Sequence, residues 1–171
     1  IYDENLATKS QEVIEQAVKN MGYMRADVKL NKKIKKKKLK LNYQISTDKL
    51  YKINHIAYHI DDLRIQEIID KDSLNSHLYA GMPFNIVTLD AERQRITKLL
   101  QEQGYYKFNK DFLVYQADTV RNTFKVNLTM KLLPYQRKKE DIPTQHQAYK
   151  VRNINFIEEN NIAHYDNDLS V

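Results

Sequence analysis

The sequence feature that most constrains the fold is an internal repeat, an amphipathic helix that ends in Gly-Tyr. Residues 13–23 have the same layout as residues 95–105. Apolar residues follow the helical period at positions 14, 17, 18 and 21 and again at 89, 96, 99 and 100. Gly22 and Gly104 come next, at the position where a left-handed backbone ends a helix. The repeat predicts two units of related architecture.

Two stretches of alternating apolar and polar residues follow each of these helices. They run from Met24 to Leu30 and from Leu39 to Ile45 in the first copy, and from Tyr106 to Val114 and from Phe124 to Leu132 in the second. An alternation of period two is typical of strands with one buried face and one solvated face. Each unit is therefore predicted to continue with two strands.

A third element, Tyr51–Tyr58, recurs as Tyr149–Phe156. Its apolar phase switches between the third and sixth positions, which predicts a bulge or a change of buried face. A shorter amphipathic helix, Leu63–Ile69, follows the first copy. The sequence therefore predicts an α+β fold of tandem βααββ units, each a three-stranded sheet covered on one face by two helices.

The repeats also predict the domain boundaries within the 171 residues. Residues 1–48 form the C-terminal part of one unit, a helix and a hairpin, and residues 50–134 form a complete unit. Residues 135–147 are polar, contain Pro143, and are interpreted as a linker or an extended hairpin return. Residues 148–171 are predicted to provide the opening strand of a further unit.

The net charge of +6 comes from a single lysine run. Seven of the nine residues from Lys32 to Lys40 are lysines, and they lie between two alternating stretches. We expect a hairpin in which the lysines occupy the turn and the solvent face. The alternatives are a surface that contacts lipopolysaccharide or anionic lipid and a nucleic-acid patch. No aromatic residue lies between Met24 and Leu41 to stack on bases, which argues against nucleic acid as a partner. The basic patch comprises Lys32, Lys33, Lys35, Lys36, Lys37 and Lys38.

The residues expected of an enzyme or a metal site do not occur in a recognisable pattern. The chain has no Cys, and its three Gly form no phosphate-binding loop. His55 and His59 lie in a predicted strand and lack the pattern of a zinc protease. The acidic residues Asp90 and Glu92 are interpreted as capping the second long helix. We expect no enzymatic activity, no cofactor and no metal, and we expect histidines such as His146 to be solvated.

The β-α-α-β-β order, the Gly-Tyr helix end, the segment Leu89–Ile96 and the Tyr-Lys-Ile opening strand resemble polypeptide-transport-associated (POTRA) domains. These are the periplasmic modules that precede the outer-membrane barrel in BamA and TamA. The segments Gly81–Asn85 and Gly104–Phe108 are most similar to the TamA-like proteins of Bacteroidetes. The resemblance implies a scaffold on the periplasmic face of the outer membrane, attached to a barrel outside this fragment. Its expected partners are unfolded outer-membrane client proteins and periplasmic or inner-membrane assembly proteins.

The resemblance also implies a protein-binding edge strand over residues 105–116. An added strand would pair with this edge, and lysines such as Lys107 would discourage self-association. The alternative for its aromatic residues is packing on their own helices. The candidate binding residues are Tyr105, Tyr106, Phe108, Lys110 and Tyr115, and the structural glycines are Gly22, Gly81 and Gly104. The alternative functions are a basic module that binds lipopolysaccharide or anionic lipid and a POTRA domain of a division or two-partner secretion protein.

Overall fold

A computed structural model describes residues 2–36, 38–136 and 140–155. The first part of the chain consists of a helix and a hairpin, and the second part follows the order βααββ. Short 3₁₀ turns lie at Ser73–Asn75 and Lys110–Phe112. In chain order the main elements are α1 (Glu4–Asn20), β1 (Asp27–Lys35), β2 (Lys38–Ser46), β3 (Lys52–His59), α2 (Leu63–Lys71), α3 (Ile86–Glu102), β4 (Leu113–Thr119) and β5 (Lys125–Leu132).

The three-stranded sheet has the order β3-β5-β4, so the last strand in the chain lies in the centre. β3 runs parallel to β5, and β4 runs antiparallel to it. Val126, Leu128 and Met130 of β5 are fully buried. They join two apolar clusters to which α2 and α3 contribute residues such as Ile65 and Ile96. The predicted α+β fold of βααββ order, with two helices on one face of a three-stranded sheet, is confirmed.

β3 contains the predicted irregularity. Its pairing with β5 shifts register between Ile53 and His55. The backbone of Ile53 bonds instead to the loop before α3: its amide donates to the Met82 carbonyl at 2.9 Å, and its carbonyl accepts from the Gly81 amide at 2.7 Å. The bulge therefore marks the point at which this loop covers the outer edge of β3.

α1 packs on one face of the β1–β2 hairpin. Val28 and Ala7 are buried at this contact, and the amide of the Gln11 side chain donates to the Val28 carbonyl at 2.6 Å. The Tyr43 hydroxyl donates to the Ala7 carbonyl at 3.1 Å. The predicted alternation of β2 follows from this arrangement, since its apolar residues lie on the same face of the hairpin as Val28 and Tyr43.

The strands predicted directly after the two Gly-Tyr pairs begin too early, and for the same reason in both copies. The Tyr23 carbonyl accepts from the Ala26 amide at 2.9 Å, and the Tyr105 carbonyl accepts from the Phe108 amide at 2.8 Å. Each bond closes a four-residue turn, so the chain cannot become extended at the tyrosine. β1 therefore begins at Asp27, and residues 105–112 of the predicted edge strand form a turn and a 3₁₀ helix before β4.

Of the two interpretations of the polar segment after β5, the described residues fit the hairpin return. Tyr135 pairs with Thr144, with backbone bonds of 2.8 and 2.9 Å in the two directions. Residues 148–155 form no strand, because a strand needs a ladder partner and none lies beside them among the described residues. The rest of this predicted strand, residues 156–171, lies outside the described residues.

The two Gly-Tyr helix ends form the same junction with the chain that follows. Gly22 and Gly104 have φ angles of +103° and +96°. The Gly22 carbonyl accepts from the Tyr51 amide at 2.9 Å, and the Gly104 carbonyl accepts from the Tyr149 amide at 2.8 Å. The same backbone bond therefore ties each Gly-ended helix to the next copy of the Tyr-Lys element.

Gly81 provides a matched control for these junctions. Its φ is +91°, but a Cβ there would meet no atom within 4 Å, whereas a Cβ at Gly104 would lie 2.6 Å from the Tyr149 carbonyl oxygen. We predict that Gly81→Ala lowers the free energy of unfolding by about 1 to 2 kcal/mol through backbone strain alone. Gly104→Ala should lower it by roughly 3 kcal/mol or more, because the clash adds to the strain.

Denaturant melts of the two variants test this difference. Equal losses for Gly81→Ala and Gly104→Ala would show that the close approach of Tyr149 contributes nothing in solution.

Candidate functional site

The outer edge of β4 presents unpaired backbone groups. Val120 bonds to Lys125 and Phe112 bonds to Leu133 at the two ends of the β4–β5 ladder, and the register between them is continuous. Because bonded pairs alternate along an antiparallel ladder, the intervening even-numbered residues of β4 bond to β5. The amide and carbonyl groups of Tyr115, Ala117 and Thr119 therefore point away from the sheet. No backbone partner contacts these groups within the described part of the chain.

The side chains of β4 alternate between the two faces of the sheet. Tyr115 packs against both apolar clusters beneath the helices. Burial, followed by the nearby Glu92 carboxylate, raises the pKa of Tyr115. Ala117 and Thr119 lie on the same face and are exposed, and Gln116 and Asp118 lie exposed on the opposite face. Tyr115 is therefore a core residue of this edge, and the open part of the edge carries small or polar side chains.

Tyr105 and Phe108, predicted as edge-strand binding residues, belong to the core. Both are buried in the apolar cluster formed with α2 and α3. The Tyr105 amide closes the helix end by bonding to the Leu100 carbonyl at 3.0 Å, and the Phe108 ring contacts the tilted Phe112 ring with centroids 5.6 Å apart. The alternative left open by the sequence, packing on their own helices, is the arrangement that the structure has.

Tyr106 is the candidate aromatic residue that remains at the surface, with 60% of its area exposed. Its ring contacts Tyr149 at a centroid distance of 4.8 Å, and the Lys107 ammonium lies 5.1 Å from the centre of the Tyr149 ring. A hydrogen bond to Tyr149 raises the pKa of Lys107. Tyr106 and Lys107 thus lie at the Gly104 junction and not on the β4 edge.

Lys110 is also placed away from the open edge. Its ammonium contacts both carboxylate oxygens of Asp90, at 2.8 and 3.0 Å. Arg93 donates to the Lys110 carbonyl at 3.0 Å and pairs with Asp111 at 3.2 Å. Hydrogen bonds from Lys110 and then Gln94 lower the pKa of Asp90. These bonds fix the start of β4 to α3, so Lys110 positions the edge.

Asp90 and Glu92 do not cap α3 as predicted. The helix begins earlier, and the Asn85 side chain accepts from the Val87 amide at 2.8 Å as the N-cap. Glu92 lies a full turn inside the helix and is completely buried. Its carboxylate accepts from the Ser76 hydroxyl at 2.9 Å and from the His77 amide at 2.8 Å. Glu92 therefore attaches the loop before α3 to the helix.

Arg95 balances the buried Glu92 charge. Its Nε and Nη2 atoms donate to the two Glu92 oxygens at 3.0 and 2.8 Å, and its Nη1 atom donates to Asp72. Burial alone would raise the pKa of Glu92, but the bonds from Arg95, His77 and Ser76 outweigh it and lower that pKa. Sequence periodicity could not identify this network, although an acidic residue at an apolar position of α3 is a signal for it.

His146 is buried, in contrast to the predicted solvated histidine. Its ring lies 4.9 Å from Phe108 and 4.7 Å from Phe112, measured between ring centroids, and its Nε2 atom lies 2.8 Å from the Leu133 carbonyl oxygen. Tyr135 completes the ring cluster at 6.1 Å. Aromatic contacts of His146 therefore hold the segment after β5 against the βααββ unit, and the local sequence does not reveal these contacts.

The hairpin brings together part of the predicted basic patch. The strands extend to Lys35 and from Lys38, so most of the lysines lie in strands and not in the turn. Lys33 and Lys35 share one face with Lys38 and Lys40. Lys32 lies on the opposite face and contacts Glu4 at 2.5 Å. Lys36 lies in the turn, and Lys37 is outside the described residues.

None of the helices in the described part of the chain is both long and apolar enough to cross a membrane. Among the same residues, no three His, Asp or Glu side chains group together as metal ligands.

Comparisons with known proteins give matches among solved structures. No family model matches the chain. No curated protein matches it either. BamA of Haemophilus ducreyi lacking POTRA domains 1–3 is 16% identical with a TM-score of 0.46, over 77% of this chain and 23% of that chain. POTRA domains 3–5 of Haemophilus influenzae BamA are 13% identical with a TM-score of 0.47, over 74% of this chain and 49% of that chain. This chain thus spans about a quarter of the first structure and half of the second.

The buried Glu92 makes a testable contribution to stability. We predict that Glu92→Gln lowers the free energy of unfolding at neutral pH by roughly 3 kcal/mol, because Arg95 loses its buried partner. The folded-state pKa of Glu92 is lowered, so its contribution is complete above the unfolded-state pKa and is lost as pH falls through the folded-state pKa. The difference between wild type and variant should therefore narrow in acid.

Urea melts of both proteins at neutral and acidic pH measure this difference. A gap in unfolding free energy that stays constant or widens toward acid would contradict the assigned role of the Glu92 carboxylate.

Proposed function

We propose that this chain is a non-enzymatic scaffold that binds extended segments of other proteins by adding them as a strand to β4. The observation that carries the proposal is the outer edge of β4, where three consecutive outward residues have free backbone groups. An incoming strand would pair with the amides and carbonyls of Tyr115, Ala117 and Thr119. Backbone pairing depends little on sequence, which suits the binding of many different unfolded proteins.

The contrast between β4 and the strands β1 and β3 supports this choice of edge. Exposed edges are normally blunted by bulges, by covering loops or by lysines and prolines. β3 has a bulge and a covering loop at Met82. β1, which occupies the position of β4 in the first copy of the repeat, carries four lysines. β4 has a regular register, neither Lys nor Pro, and one charged residue, Asp118.

The helix-bearing face beside this edge also favours strand addition. Ala117 and Thr119 are small and exposed there, while their β5 partners Leu128 and Val126 are fully buried. Side chains of an added strand on this face would therefore meet little steric obstruction. An amphipathic segment with alternating apolar and polar residues would place its apolar side on this face, beside the ring of Tyr115.

The resemblance of the sequence to POTRA domains supports a more specific setting. In this proposal the chain works on the periplasmic face of the outer membrane, as part of a barrel protein of the TamA-like type found in Bacteroidetes. Its clients are then unfolded outer-membrane proteins, whose strands alternate apolar and polar residues. Its other partners are periplasmic or inner-membrane assembly proteins.

The β4 edge can be blocked by one substitution. Proline is tolerated on an edge strand where the amide faces solvent, and Ala117 has such an amide. Ala117→Pro removes an outward donor and places a ring at the edge, while the ladder to β5 is left intact. We predict that Ala117→Pro lowers the affinity for an alternating apolar-polar peptide at least tenfold. The matched control Ala117→Val keeps the donor and should bind within about twofold of wild type, since strands favour β-branched residues.

Fluorescence anisotropy with a labelled peptide measures these affinities, after circular dichroism shows that both variants keep the fold. The same peptide with alternate amides N-methylated should not bind, because it cannot form the ladder. Tight binding of the methylated peptide, or equal affinities for the proline and valine variants, would overturn strand addition at β4.

A further inference from the structure

The outer end of the β1–β2 hairpin concentrates positive charge in a way that disfavours folding. Lys33 lies directly opposite Lys40, and Lys35 lies directly opposite Lys38. Like charges at directly opposed positions destabilise an antiparallel pair. None of these four lysines forms an ion pair with another residue in the described ranges. The hairpin itself therefore provides no compensation for this arrangement.

The turn of the same hairpin adds a further lysine in an unfavourable conformation. Lys36 has a φ of +47°, in the left-handed region that favours glycine or asparagine. Two-residue hairpin turns typically use Asn-Gly or Asp-Gly for this reason. The turn therefore places the charged Lys36 at a position where the backbone favours glycine or asparagine.

The opposite face of the tip is apolar, and its outermost residue is largely uncovered. Ile34 pairs with Leu39 across the hairpin; Ile34 is 80% exposed and Leu39 is half-buried. The N-terminal end of α1 reaches Lys32, which contacts Glu4 and lies 5.4 Å from the centre of the Tyr2 ring. Ile34 and Leu39 are the next residues on that face toward the turn. The hairpin therefore extends past the helix, with this apolar pair on one face and the opposed lysines on the other.

We infer that this tip, residues 33–36 and 38–40, binds the surface of a lipid bilayer that carries anionic phosphate headgroups. The lysines contact the phosphates, and Ile34 enters the boundary between headgroups and acyl chains. This combination of a basic face and an apolar face is typical of segments that lie in a membrane interface. A nucleic acid would be attracted by the same charges, but its binding would not explain the exposed Ile34. The tip also has no aromatic ring on which bases could stack.

The inference does not depend on strand addition at β4, because it rests on different residues. If both hold, the tip attaches the scaffold to a membrane surface while the β4 edge remains available to clients. Variants of the tip should then change vesicle binding without changing peptide binding. Vesicle binding and peptide binding can therefore fail independently of each other.

Vesicle sedimentation with the full 171-residue chain tests the inference. We expect binding to equimolar phosphatidylglycerol and phosphatidylcholine, and none to phosphatidylcholine alone. Lys35→Gln/Lys38→Gln should weaken binding roughly twenty-fivefold, since each lysine near an anionic surface contributes about fivefold. The control Lys71→Gln/Lys98→Gln removes the same charge from two highly exposed lysines on the helices and should have little effect.

The Ile34→Ser variant distinguishes binding to a lipid surface from binding to other polyanions. We expect it to weaken vesicle binding about tenfold, because the apolar contact is lost, and to leave the thermal melt unchanged. Two results would overturn the inference: equal loss of binding in the two lysine variants, or vesicle binding that survives Ile34→Ser. Binding of a short DNA duplex as tight as that of the vesicles would favour a nucleic-acid surface instead, and would also overturn it.

Discussion

The central position of β5 determines the rest of this structure. The last strand of the βααββ unit pairs with both others, and its residues Val126, Leu128 and Met130 are completely buried under the helices. Because β5 uses both of its edges, β3 and β4 each retain one outer edge. The loop before α3 covers the start of the β3 edge, while the β4 edge stays open. The feature on which the proposed function rests thus follows from the order of the sheet.

The repeated Gly-Tyr pair has more roles than the end of a helix. The glycine takes a left-handed backbone, the tyrosine carbonyl closes the next turn, and the glycine carbonyl accepts the amide of the following Tyr-Lys element. All three features occur at Gly22 and again at Gly104. A Cβ at either position would lie 2.6 Å from a backbone oxygen, so only glycine permits this approach. The repeat in sequence is therefore a repeat of a junction as well as of a fold.

Periodicity predicted the features that depend on local pattern. The helix ends, the βααββ order and the bulge after Ile53 all follow from the phase of apolar residues and from glycine chemistry. The prediction that a strand begins near Tyr106 was wrong, because a four-residue turn and alternation in a short segment look alike in sequence. The lysine run was predicted as a hairpin with the lysines in the turn and on the solvent face, and the structure has this hairpin. Its strands extend closer to the turn than the alternation indicated, so lysines lie opposite one another within paired strands. Glu92 and His146 are buried through partners distant in sequence, which periodicity does not reveal.

The claim that the open edge of β4 accepts a strand is tested most directly by residue-resolved amide hydrogen exchange. In the free chain we expect slow exchange at Val114, Gln116 and Asp118, which bond to β5, and fast exchange at Ala117 and Thr119, whose amides face outward. Saturation with the alternating apolar-polar peptide should slow Ala117 and Thr119 and leave the others unchanged. Fast exchange at Ala117 and Thr119 in the presence of bound peptide would contradict the account.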